Sequence, residues 1–161
     1  MKNITMYTDG ACKGNPGPGG YGTIIEFKGE TTGTIHKREY RGGYKHTTNS
    51  RMELMAVIIG LEQLTQPCNI TLYSDSKYVI DALSKGWLDG WVKKNWTRGK
   101  NQPVANIDLW KRILAAMSQH ELTYVWVKGH AGNPGNERCD ELANQAITDG
   151  NLQDDVTNDL N

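Results

Sequence analysis

The sequence has few cysteines, no long apolar segment and no net charge. Its three cysteines, Cys12, Cys68 and Cys139, lie far apart and form neither a CxxC pair nor a cysteine–histidine spacing typical of zinc sites. This pattern argues against a disulfide framework and is typical of a reducing compartment, so we expect a cytoplasmic protein. No stretch resembles a membrane span, and the first residues lack the apolar core of a signal peptide, so we expect no membrane partner.

The net charge of zero hides an uneven distribution of charged residues. Basic residues dominate the segment from about 85 to 104, which contains a single acid, Asp89. Such a segment is typical of proteins that bind nucleic acids or other phosphates. Residues 149–161 are acidic and contain few apolar side chains, so we expect a frayed tail after a single domain that spans 1–148.

Hydrophobic periodicity predicts an α/β fold with one mixed sheet that is covered by helices. Alternating patterns predict strands near residues 3–9, 21–27, 31–40, 70–73 and 122–127. Helical patterns cover residues 50–64, 76–83, 107–118 and 137–147, the third of them with Asn106 or Asp108 as its cap. The short link between the second and third strands requires an antiparallel hairpin, whereas a strand followed at once by a helix indicates a parallel βα unit.

Two aspartates stand at the carboxyl ends of predicted strands. Asp9 ends the first strand and Asp75 ends the fourth. If these strands are neighbours in the sheet, both side chains face one crevice, which is where ligands bind in open α/β sheets. Simpler roles are also open, because Asp9 begins a turn with Gly10 and Asp75 stands where it could cap the following helix.

Two further acids lie on predicted helices. Glu53 falls on the same stripe as Val57, Leu61 and Leu64, which predicts that its carboxylate points towards the sheet; a capping box with Ser50 is the alternative. Asp140 would be a solvated surface charge if it stood alone, but it follows the loop KGHAGNPGN.

Several carboxylates in one crevice repel each other unless cations lie between them. Oxygen ligands favour Mg²⁺, with Mn²⁺ possible, over zinc. Two such ions about 4 Å apart can activate water and stabilise the leaving oxygen in phosphodiester hydrolysis. His130, on the glycine-flanked loop, is suited to move a proton near neutral pH, although a loop histidine is often simply solvated.

Five segments, in order, resemble the motifs of the type I ribonuclease H family, in the form found in bacterial housekeeping enzymes. They are TDGACKGNPGPGGYG, TTNSRMELMA, YSDSKYV, NIDLW and WVKGHAGNPGNERCDELA. The resemblance implies a five-stranded mixed sheet with helices on both faces. It also implies a monomeric enzyme that cuts the RNA strand of RNA–DNA hybrids and leaves 5′-phosphate and 3′-hydroxyl ends.

The resemblance also implies roles for individual residues. The four metal-binding acids correspond to Asp9, Glu53, Asp75 and Asp140, with two ions present when substrate is bound, and the mobile histidine corresponds to His130. Contacts to the minor groove of the hybrid are expected from Cys12, Asn15, Asn49 and Lys77. A pocket for a DNA phosphate is expected at Thr48 and Asn106, with His46 beside it. Relatives often carry glutamine at the position of Lys77 and arginine at the position of His46.

The segment KGWLDGWVKKNWTRGK resembles the basic protrusion that holds the DNA strand in the bacterial enzymes. We expect Trp87 and at least one other tryptophan to form the core of the protrusion. The residues expected to contact substrate are Trp91, Lys93, Lys94, Trp96, Arg98 and Lys100. Because the lysines are less dense than in some relatives, weaker hybrid binding is a further hypothesis.

Two other functions are compatible with parts of this pattern. One is a DNA-cleaving nuclease of the same superfamily, against which the glycine-rich loop and the basic protrusion argue. The other is a hybrid-binding module without activity, which would be expected to have lost at least one of the four acids.

Overall fold

The computed structural model describes residues 1–129 and 132–156. A five-stranded mixed sheet has the order β3-β2-β1-β4-β7. The strands are β1 (Lys2–Cys12), β2 (Gly17–Lys28), β3 (Ile35–Thr47), β4 (Cys68–Ser74) and β7 (Glu121–Trp126). The first three are antiparallel, whereas β1 pairs with β4, and β4 with β7, in parallel. The predicted α/β fold and mixed sheet are confirmed.

Helices cover both faces of this sheet. Their bounds are α1 (Asn49–Glu62), α2 (Lys77–Ser84), α3 (Trp87–Lys93), α4 (Ile107–Met117) and α5 (Pro134–Thr148). Met6 belongs to the main core beneath α1 and α4, whereas Tyr7 packs with Leu142 and Cys139 of α5. Consecutive side chains of a strand point to opposite faces of the sheet, so β1 contributes to a hydrophobic core on each face.

The predicted bounds of the first three strands differ from the structure. The strands β1 and β2 extend into the glycine-rich segment, where Cys12 pairs with Gly19, so less of that segment is loop than the sequence indicated. Strand β3 begins at Ile35 rather than at residue 31, because residues 30–32 form a turn. It ends at Thr47 rather than at residue 40, because it stays paired with the extended β2.

The basic protrusion contains elements that periodicity did not predict. It begins with α3 and continues into a two-stranded sheet of β5 (Thr97–Arg98) and β6 (Gln102–Pro103). The expectation that Trp87 lies in its core is wrong, because this side chain is 43% exposed and Leu88 is buried in its place. The ring of Trp91 packs edge-on against Trp110, with 5.4 Å between the ring centroids.

The expectation of a frayed tail is wrong as far as residue 156. Gln153 donates its backbone N–H to Gly43 and accepts from the N–H of Lys45, at 2.9 and 2.8 Å. Asp155 accepts from the buried side chain of Arg51 at 2.8 and 3.0 Å. The acidic composition indicated disorder, but a buried guanidinium needs a carboxylate partner and so holds the tail in place.

Within the described residues, none of the helices has the length and apolar character needed to cross a membrane.

Candidate active site

Asp9 and Asp75 meet because their strands are parallel neighbours. The pairing of Tyr7 with Tyr73 places Asp9 level with Asp75, just beyond the last residue of β4. Asp75 is not the cap of α2, since Ser76 takes that place and accepts from the N–H of Val79 at 3.3 Å. The predicted crevice therefore forms at the carboxyl end of β4, although β1 does not end at Asp9 as predicted but continues past it to Cys12.

Glu53 reaches the same crevice from α1. Helix α1 crosses so close to β1 that a Cβ at Gly10 would lie 2.5 Å from the backbone nitrogen of Glu53. Only glycine allows this approach, and its N–H donates to Asp9 Oδ1 at 2.9 Å and to Glu53 Oε1 at 3.0 Å. The capping-box alternative for Glu53 is wrong, because Thr48 caps α1 and accepts from the N–H of Arg51.

The three carboxylates form one compact cluster. A ligand oxygen from each of Asp9, Glu53 and Asp75 lies within 4.8 Å of the others. Asp140, half-buried on α5, lines the same cleft together with Asn49 and Ser76. Its Oδ1 accepts from Asn144 Nδ2 at 3.3 Å. The sequence prediction that four acids share a crevice thus agrees with their positions.

Burial and mutual repulsion make ionisation of this cluster costly. Burial, and next the charge of Asp75, raise the pKa of Asp9 to about 7. Burial also raises the pKa of Glu53 well above its ordinary value, with Asp9 as the next cause. A bound cation would remove this cost, because it favours the charged form of every carboxylate near it.

The donor atoms of the cluster suit a hard divalent cation. All of them are carboxylate oxygens, which Mg²⁺ and Mn²⁺ prefer. Among the described residues, Glu53 Oε2 is buried with no hydrogen-bond partner. Because a buried polar atom without a partner is costly, this oxygen is a suitable metal ligand. The acidic triad could therefore hold a metal ion. His130, the residue expected to move a proton, lies outside the described residues.

Of the residues predicted to contact the minor groove, Asn49 lines this cleft. Asn15 Oδ1 accepts from the backbone N–H of Asn49 at 2.9 Å, which ties the glycine-rich segment to the start of α1. Cys12 Sγ donates to the carbonyl of Gly14 at 3.3 Å. The ammonium of Lys77, two positions after Asp75, lies over the ring of Trp126.

The predicted phosphate pocket lies at the starts of α1 and α4. Thr48 caps α1, and His46 is exposed two residues before it. Asn106 is buried, with Oδ1 accepting from Arg51 at 3.3 Å and Nδ2 donating to the hydroxyl of Tyr78 at 3.2 Å. Its side chain does not cap α4, because its backbone is left-handed with φ of 60°.

The predicted DNA-strand contacts are mostly exposed. The four cationic side chains predicted to contact the DNA strand face solvent, namely Lys93, Lys94, Arg98 and Lys100. Trp96 is half-buried, with the ammonium of Lys111 5.7 Å from its ring centroid. The protrusion thus presents positive charge on a folded support.

Sequence reasoning missed two residues that shape the site. Arg51, 1% exposed, donates to Asp108, Asp155 and Asn106 and so joins α1, α4 and the tail. Its signal in the sequence was an arginine shortly before the apolar run at residues 54–59 of α1. Asn136 Nδ2 donates to the backbone carbonyls of residues 8 and 73, which lie next to Asp9 and near the end of β4. No pattern in the sequence marked its contacts.

Comparisons with known proteins agree with this geometry. The family model described as RNase H matches residues 1–148. The chain is 65% identical to a ribonuclease H of Lachnoclostridium phytofermentans over 94% of this chain and 96% of the relative. It is 52% identical to a ribonuclease H of Desulforamulus reducens over 97% and 94% of the two chains.

A solved structure shares the fold. LC9-RNase H1, described as a type 1 RNase H with the type 2 active-site motif, superposes with a TM-score of 0.83 at 29% identity, covering 92% of this chain and 73% of that one. With an acidic triad contributed by β1, α1 and the residue after β4, and a family match over nearly its whole length, the chain belongs to the ribonuclease H family of nucleases.

Proposed function

We propose that this protein hydrolyses the RNA strand of RNA–DNA hybrids with two bound Mg²⁺ ions and leaves 5′-phosphate and 3′-hydroxyl ends. The observation that carries this proposal is the buried triad of Asp9, Glu53 and Asp75, with Asp140 on the rim of the same cleft. Bound metal would supply an activated water and neutralise charge on the leaving oxygen.

The protein residues have separate roles in this proposal. Asp9, Glu53 and Asp75 would hold the metal, and Asp140 on α5 would be the fourth ligand. The N–H of Gly10 orients one oxygen of Asp9 and one of Glu53, which leaves Glu53 Oε2 for the metal. His130 carries a proton to or from the reacting phosphate.

The hybrid lies across the cleft and the protrusion. Asn15, Asn49 and Cys12 face the minor groove, where the 2′-hydroxyl distinguishes RNA from DNA. The exposed lysines of the protrusion face the DNA strand, because duplex affinity depends mainly on phosphate neutralisation. LC11-RNase H1, 25% identical to this chain, has been solved in complex with an RNA/DNA hybrid. We also propose a monomeric protein in the cytoplasm.

Cleavage of a strand-labelled hybrid with and without Mg²⁺ tests the proposal. We expect cuts only in the RNA strand, only with metal, and none in a DNA duplex of the same sequence. Asp9→Asn is the matched inactive variant. Ligation of the products should show a 5′-phosphate on each downstream fragment. Cleavage of the DNA duplex would favour the DNA-cleaving alternative, and metal-independent cutting would contradict the proposed mechanism.

A further inference from the structure

A lysine and a tryptophan contact each other beside Asp75. The arrangement of the acidic cluster does not require this contact. The Lys77 ammonium lies 4.7 Å from the centroid of the Trp126 ring. Lys77 is the first residue of α2, two positions after Asp75, and Trp126 is the last residue of β7. The pair therefore lies next to Asp75, one of the acids that line the cleft.

Trp126 is fixed along one edge but remains open to solvent. It pairs with Ser74, and its indole N–H donates to the backbone carbonyl of Asp75 at 3.1 Å. Even so, 44% of the residue is exposed. A ring with this anchor offers a rigid face beside the active site, and that face is where the Lys77 ammonium lies.

Helix stability does not explain the charge of Lys77. A cation in the first turn of a helix is on the unfavourable end of the helix dipole. Among the described residues, no carboxylate forms an ion pair with the Lys77 ammonium, and its one recorded partner is the Trp126 ring. A cation–π contact at an exposed site is weak, so it biases the position of the side chain but does not bury it.

The chemistry of lysine determines what this cation can recognise. An ammonium has three donors and no acceptor, and it acts as a compact point charge. It is therefore suited to a phosphate oxygen rather than to a base edge that offers both donors and acceptors. Because the neighbouring carboxylates repel a phosphate backbone, a cation held next to Asp75 also offsets that repulsion.

We propose that Trp126 is a positioning residue that holds the Lys77 ammonium as a phosphate contact for the scissile strand, next to Asp75. This inference rests on the proposed function, because that function places the RNA strand over the acids. Lys77 then adds affinity through charge, and Trp126 acts through Lys77 rather than by touching the hybrid.

The salt dependence of hybrid binding tests this proposal. Binding is measured in EDTA, so that the hybrid is not cut, for the full chain and its variants. Each neutralised phosphate contributes about 0.9 to the slope of log affinity against log salt. We expect Lys77→Gln to flatten the slope by about that amount and Lys77→Arg to retain it. Lys2→Gln is the matched control, because Lys2 lies 3.8 Å over the Phe27 ring at the opposite end of β1.

Variants of the ring separate its two contacts. Trp126→Leu removes the aromatic face and should flatten the slope by up to the same amount, whereas Trp126→Phe keeps the face, loses the N–H and should retain the slope. In the Lys77→Gln background, Trp126→Leu should cause no further change. Thermal unfolding identifies any variant that fails to fold, and the two Lys77 variants still test the phosphate contact if Trp126→Leu is one of them.

Two results would overturn the proposal. One is an unchanged slope in Lys77→Gln, and the other is an equal loss of affinity from Trp126→Leu with and without Lys77. Failure of the proposed function would look different, because the wild-type protein would then leave the hybrid uncut in Mg²⁺.

Discussion

Removing one charge from the acidic cluster should stabilise the metal-free protein. The change is Asp9→Asn, which retains an oxygen to accept from the Gly10 N–H and replaces the buried, repelled carboxylate with a neutral amide. The gain should come from relief of repulsion and of charge burial, since little packing is lost. The same change should abolish cleavage, because it removes a metal ligand.

The magnitude follows from the pKa of Asp9, which rises from 3.8 to about 7 in the fold. A change of one unit in a pKa corresponds to about 1.4 kcal/mol, so ionised Asp9 lowers the stability of the metal-free fold by at most about 4 kcal/mol. Because the folded pKa exceeds the unfolded one, this cost is absent below the unfolded pKa, grows as the pH rises and is complete above about pH 7. For a chain of this size, 1 kcal/mol shifts the melting temperature by roughly 2–4 °C.

Thermal and urea unfolding in EDTA, from pH 4 to pH 8, give the measurement. We expect Asp9→Asn to exceed the wild type by roughly 1–4 kcal/mol at pH 8, with the difference disappearing towards pH 4. Added Mg²⁺ should stabilise the wild type more than the variant. Glu121→Gln is the control, because Glu121 is an exposed carboxylate on β7.

The reasoning would be refuted by a melting temperature of Asp9→Asn below that of the wild type at pH 8 in EDTA. It would also be refuted by a stability difference that stays constant across the pH range, since a change in packing does not titrate.

Three further predictions concern the buried arginine, the proton carrier and the protrusion. Arg51→Met should lower the free energy of unfolding in urea by about 3–5 kcal/mol, because it leaves Asp155 with a buried, unpaired charge. His130→Ala should reduce turnover by about 10²–10⁴-fold, with hybrid affinity nearly unchanged; loss of binding would contradict a proton-transfer role. Replacing Lys93 and Lys94 with alanine should flatten the salt slope of hybrid binding by roughly one to two units while turnover at saturating substrate persists, and an unchanged slope would show that neither lysine meets phosphate.

The elements of the fold were predictable where a local pattern repeats. Alternation located β1 and β4, and helical spacing located α1, α4 and α5, because one buried face imposes its period on the sequence. The protrusion was not predictable in this way. Its chain changes direction through left-handed residues, Asn95 and Trp96 among them, and α3 is only seven residues long.

The tail shows how composition can mislead. Polar, acidic residues after α5 indicate disorder when their neighbours are unknown. In the fold, the hydroxyl of Thr47 and the guanidinium of Arg51 both donate to Asp155, and the backbone of Gln153 pairs beside β3. Those partners lie about 100 positions earlier in the chain, so no local window contains them.

The sequence by itself determined the positions of Asp9 and Asp75 on or directly after strands, and the residue types of the site. Asp9 and Asp75 follow alternating runs, and Glu53 lies on the inner stripe of a helix, because these placements depend on local periodicity alone. Tertiary structure decided which of these residues meet. The parallel pairing of β1 with β4 and the close crossing of α1 at Gly10 bring the carboxylates within 4.8 Å of one another. Tertiary structure also decided that Trp126 contacts Lys77 and Asp75. Packing between segments that are distant in the chain sets these distances, and the spacing of residues in the sequence does not.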